Sequence, residues 1–130
     1  MPSGPHLLHE LLLLGLTGAL GATARYGISS AVSGILGRNF PWGTATVNVL
    51  GSFGFGLAWV LTDGGEMPSQ LRAIVLVGFL GSFTTFSTYI FESRLLLQQG
   101  KRLRLALNLI GQNLISLTAL SCGCLLGRIL

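Results

Sequence analysis

Four apolar runs, each long enough to cross a bilayer, dominate this sequence: about Leu7–Val32, Trp42–Leu61, Leu71–Leu97 and Leu105–Leu126. A helix needs about 20 apolar residues to span the hydrocarbon. The chain is 130 residues long and only 9% charged, against about 25% in a soluble domain. Water is therefore excluded as the solvent for most of its surface. The expected fold class is an all-α membrane protein, one domain over residues 1–130 with four transmembrane helices.

The connections support that division. Gly34–Pro41 is polar and glycine-rich, and Pro41-Trp42 marks the return to the membrane. Thr62–Ser69, with Asp63, Gly64, Gly65, Glu66 and Pro68, reads as a water-exposed turn, and Gln98–Arg104 as a basic loop. Trp42 and Trp59 bracket the second run as an interfacial belt would. Arg25 and Tyr26 fall toward the far end of the first run, where a guanidinium can snorkel to the headgroups. Small residues at Gly15, Gly18, Ala19 and Ala22, and again at Gly123 and Gly127, mark faces where helices can approach closely. Leu7–Leu14 followed by Ala22-Thr23-Ala24 resembles a secretory signal, but no Lys or Arg precedes it. It is read as a retained first span.

The net charge of +4 sits mostly at the ends of apolar runs. That is the place of membrane anchors; it points to a lipid bilayer and not to nucleic acid. Arg25, Arg38, Arg94, Lys101, Arg102 and Arg104 fall on one side, Arg72 and Arg128 on the other. The bias puts the loops after the first and third spans in the cytoplasm.

Catalytic chemistry has little to work with. His6 and His9 lie in an N-terminal tail with only Glu10 nearby. Cys122 and Cys124 are two apart on one helix, on nearly opposite faces. There is no paired carboxylate inside a span, no nucleophile with a base, and no phosphate-cradling loop. The chain is not expected to be an enzyme.

Uncharged polar groups are ordered instead. Thr44, Asn48 and Ser52 recur four apart in the second span, and Asn108, Gln112 and Ser116 do so in the fourth. Each set forms one helical stripe. Such stripes act either as interhelical glue, worth about 0.6 kcal/mol per contact, or as the lining of a narrow path. The third span carries GFLGSFTTFSTYIFE over Gly78–Glu92. Gly78 and Gly81 loosen it, and Ser82, Thr84, Thr85, Ser87 and Thr88 crowd it with hydroxyls. A broken helix survives in a bilayer only where protein or a water-filled path covers it. The stretch is therefore either a kinked packing helix or a mid-depth ion or solute site. Hydroxyls and amides can replace water around an anion. The electropositive ring edges of Phe83, Phe86, Tyr89 and Phe91 add to that. No ring of carboxylates for a cation is present, so the lining leans toward a small anion or a neutral solute, although amide and hydroxyl oxygens could also serve a cation.

Three segments together resemble one family: GALGATARY (Gly18–Tyr26), WGTATVNVLGSFGFG (Trp42–Gly56) and GFLGSFTTFSTYIFE. They are similar to bacterial fluoride channels of the Fluc (CrcB) family. The resemblance implies a fluoride-selective channel in the inner membrane that lets the ion leave the cytoplasm by passive diffusion and so limits its toxicity. It implies an antiparallel, dual-topology homodimer with two pores, and a broken third helix in each copy. A structural sodium ion (Na+) would lie at the interface, held by the carbonyls of Gly81 and Thr84. By the same match Asn48 lines the pore, Phe86 and Tyr89 are its stacked aromatics, and Asn108, Gln112 and Ser116 its polar track. The hydroxyls of Thr44, Ser52, Ser87 and Thr88 complete the candidate lining. Glu92 corresponds to a vestibule carboxylate and Arg25 to a basic residue near the entrance. Tyr89 departs from the family, whose second ring carries no hydroxyl, and Gln112 replaces a smaller polar residue. A small multidrug exporter would need a carboxylate well inside the first span, whereas Glu10 stands at its start.

Overall fold

The computed structural model describes residues 4–63 and 67–130, with only the backbone course for Gly4, Pro5 and His6. The sequence-predicted turn residues Gly64, Gly65 and Glu66 and the His6 side chain lie outside the described residues. The described chain is helical in α1 (Gly4–Leu36), α2 (Trp42–Asp63), α3 (Ser69–Ala73), α4 (Gly81–Phe83), α5 (Phe86–Gln98), α6 (Arg102–Ala106) and α7 (Gln112–Ile129). Two π-helical segments, Ile74–Leu80 and Leu107–Gly111, join α3 to α4 and α6 to α7. Four stretches are long and apolar enough to cross a membrane: Leu7–Leu36, Trp42–Asp63, Ser69–Gln98 and Arg102–Ile129.

The boundaries differ from the sequence reading in instructive ways. The first helix already includes His9, so the expected tail is a helical turn. It runs past Gly34 and stops at Gly37, whose φ of +82° no side chain takes easily. Arg25 therefore lies eleven residues from the end of α1, about 16 Å along its axis. The basic loop shrinks to Gln99–Lys101 for a similar reason. Gly100 adopts φ +68°, its N–H bonds Leu97 O at 3.0 Å, and the Lys101 N–H bonds Leu96 O at 3.0 Å. This pair of bonds closes the end of α5, and α6 can start at once.

Glycines set how the helices touch. α2 packs chiefly on α7. A Cβ on Gly123 would overlap the Phe53 carbonyl, and one on Gly56 would overlap the Leu120 carbonyl. The α1 helix rests on the Ile74–Leu80 segment through Gly18 and Gly21, while Gly15, expected on the same face, meets nothing within 4 Å. Gly78, inside the π-helical segment, makes room for the Thr17 hydroxyl. Most large apolar side chains face outward, among them Leu16, Ile110 and Leu117. Lipid is the natural cover for that surface.

Helical geometry in the third span stops after Phe83. Thr84 (φ −87°, ψ 161°) and Thr85 (φ −150°, ψ 121°) are extended, and α5 begins at Phe86. The interruption falls three residues beyond Gly81, at the two threonines.

Candidate functional site

Asn48 explains why the chain opens there. In an unbroken helix the Thr85 N–H would bond the carbonyl of Gly81, four residues back. Here it donates to Asn48 Oδ1 at 2.8 Å, and Asn48 Nδ2 donates back to the Thr85 carbonyl at 3.1 Å. An N–H can only donate and a carbonyl can only accept, so this pairing fixes which way the carboxamide faces. Among the described residues the second N–H of Asn48 Nδ2 has no partner. Thr85 also caps α5: its Oγ1 accepts from the Thr88 N–H at 3.3 Å and donates to Thr88 Oγ1 at 3.1 Å. The hydroxyl-rich sequence Thr84–Thr88 is thus a helix start, a signal that the S/T pattern contained.

Beside this opening lies a cavity of about 240 Å³ between α2, α5 and α7. Asn48 and Ser52 line it from α2, Phe86 and Tyr89 from α5, and Gln112 and Ser116 from α7. The two polar stripes meet here and part beyond it. Gln112 is 7% exposed, and its Oε1, like Ser116 Oγ, is buried with no hydrogen-bond partner among the described residues. Unpaired polar atoms inside protein cost about 1–3 kcal/mol each. Both orphans lie on the cavity wall. The Phe86 and Tyr89 rings are 5.7 Å apart and tilted by 42°. Phe86 is 74% exposed, so nothing in a single chain covers that side.

The remaining candidates lie elsewhere. Thr44 and Thr88 line an adjoining cavity of about 350 Å³ with Arg25, Ser29 and Ser30, and Thr85 belongs to both cavities. Arg25 donates from Nη1 to the Thr84 carbonyl at 3.2 Å. This corrects the expected snorkelling: the guanidinium turns to an oxygen that the interruption frees. Glu92 lines a third cavity of about 370 Å³ with Ser29, Ser33 and Arg38. Its Oε2 is buried with no hydrogen-bond partner among the described residues. Ser87 is exposed, its Oγ lying 3.3 Å from Thr85 Oγ1. Asn108 is wholly buried and donates to Ser93 Oγ at 2.9 Å, away from the cavities. Phe83 is buried and stacks on Phe79 at 5.9 Å, and Phe91 is exposed. The expected four-ring cluster is therefore a pair. Asn113 lines the 240 Å³ cavity beside Tyr89 and belongs to neither stripe, being one residue off the fourfold spacing. Among the described residues no group of three His, Cys, Asp or Glu side chains could hold a metal.

Residues 12–124 match the family model described as CrcB-like protein, Camphor Resistance (CrcB). The chain belongs to the CrcB family. Relatives named fluoride-specific ion channel FluC match most of its length. The protein of Solidesulfovibrio magneticus is 47% identical over 127 residues, covering 95% of this chain and 100% of its own. That of Nitrosococcus oceani is 41% identical over 122 residues (93% and 98%), and that of Magnetococcus marinus 44% over 122 residues (93% and 99%). A CrcB protein is an inner-membrane protein of several spans, from a family of channels and not of enzymes. The four apolar helices accord with this.

Proposed function

We propose that this CrcB chain is a fluoride-selective channel that lets the ion leave the cytoplasm down its gradient and so limits its toxicity. The observation that carries the reading is the cavity beside Thr85. Its wall combines the free N–H of Asn48, the hydroxyls of Ser52 and Ser116 and the carboxamide of Gln112 with two aromatic edges. Fluoride is small and tightly hydrated, and only close, fixed donors compensate for the water it sheds. Asn48 meets that need because its other contacts already lock its orientation. Thr44 and Thr88 extend the donor series toward Arg25, and Glu92 stands in the cavity beyond.

The reading includes an antiparallel homodimer with two pores. The open side of the cavity at Phe86 supports it, since a second copy would supply the missing wall. The Gly81 carbonyl suits a sodium ion, and the Thr84 carbonyl, which already accepts from Arg25 Nη1, would offer it the second lone pair. Gly81 loses its helical donor to Asn48, and neutral carbonyls at the C-terminal end of α4 favour a cation. Two oxygens from one chain do not close a coordination shell, whereas a twofold partner doubles them. The buried ion would add fixed positive charge between the two anion paths.

The decisive test is ion release from liposomes holding the purified protein, followed with fluoride and chloride electrodes. Fluoride should leave rapidly and chloride hardly at all. Equal release of both, or of neither, overturns the reading.

A further inference from the structure

Tyr89 brings a hydroxyl to the cavity wall, and the structure shows where that hydroxyl goes. It donates to the Leu109 carbonyl at 3.3 Å and accepts from Asn113 Nδ2 at 2.8 Å. Asn113 Nδ2 also donates to Leu109 O at 2.6 Å. Leu109 lies in the π segment Leu107–Gly111, where the wider turn redirects carbonyls. The orientation of Asn113 follows from chemistry. Leu109 O can only accept, and the phenol has already given its one proton, so both demand the nitrogen end of the amide.

We propose that Asn113 is a positioning residue for the aromatic pair. It ties the phenol oxygen of Tyr89 to the backbone of the fourth span. The Tyr89 hydroxyl is then no donor to a passing ion, and its lone pair is covered by the Asn113 N–H. What Tyr89 offers the cavity is its ring edge, as a phenylalanine would. Remove Asn113 and that lone pair is uncovered on the wall, where it repels an anion. The effect of Asn113 on conduction therefore passes through a single oxygen atom and vanishes when that atom is absent.

This inference rests on the proposed anion path, and a double-mutant cycle separates the two. Asn113→Leu, Tyr89→Phe and the double variant are compared with the parent for fluoride release from liposomes and for thermal unfolding in detergent. In the Tyr89 protein, Asn113→Leu should slow fluoride release by about fivefold, the scale of one hydrogen bond. Added to Tyr89→Phe, whatever rate that variant shows, it should change release by less than about twofold. An equal slowing in both backgrounds, or none in either, overturns the role. Should the parent release no fluoride, the proposed function falls. The unfolding midpoints then decide: coupled shifts keep the Asn113–Tyr89 tie, and additive ones sink it.

Discussion

The two halves of the α2–α7 contact are built from the same pair of helices and could hardly differ more. Toward Gly56, Gly123 and Gly127 each glycine meets the facing helix's backbone directly, with Val60 and Cys124 side chains beside it. Toward Asn48, Ser52, Gln112 and Ser116 the side chains are longer and polar, and the helices enclose a cavity. On α2 and α7 the hydroxyls divide along the same line. Thr62, Thr118 and Ser121, off the cavities, bond back to their own helix carbonyls at 2.7, 2.9 and 3.0 Å, which is how a lone hydroxyl settles in lipid. Among the described residues Ser52 and Ser116 form no such bond. Small residues close one half into a dry seam, and that seam holds the other half open at a fixed width.

The contrast is easiest to break at the seam. Gly123→Leu would push a side chain into the Phe53 carbonyl; overpacking of this kind costs about 3 kcal/mol. Size-exclusion profiles across a temperature series should show loss of the folded protein well below the parent's midpoint. Asn48→Asp acts on the hollow half. It keeps an acceptor for the Thr85 N–H but sets a negative oxygen against the Thr85 carbonyl and the path. Fluoride release should fall by about tenfold or more, as expected for losing a donor to an ion. An unchanged rate would remove Asn48 from the path. Gln112→Leu sharpens the comparison by separating function from packing. It deletes an unpaired buried oxygen, so thermal stability should hold or rise by about 1 kcal/mol. Fluoride release should drop severalfold, and a drop in both would make Gln112 glue after all.

Hydropathy alone placed the four spans to within a few residues, because the length of an apolar run is a direct reading of hydrocarbon thickness. Their ends were misjudged where a glycine in the left-handed region, Gly37 or Gly100, decides the stop. Fourfold spacing found the two stripes, yet it could not separate Gln112, on the cavity, from Asn108, tied to Ser93. That difference depends on what stands opposite, which no single helix encodes. Asn113 went unnoticed for the same reason. The signal was the phenol at Tyr89, since a hydroxyl in a membrane needs a partner somewhere. Arg25 was misplaced because its acceptor, the Thr84 carbonyl, exists only once the third span has opened.

The Asn48–Thr85 pairing also bears on how the protein comes together in the bilayer. Alone in lipid, the third span has no side chain to take the Thr85 N–H, and its own Gly81 carbonyl is the nearest acceptor. The opening therefore depends on a neighbour: it is the second span's amide that holds the Thr85 N–H away from its own helix.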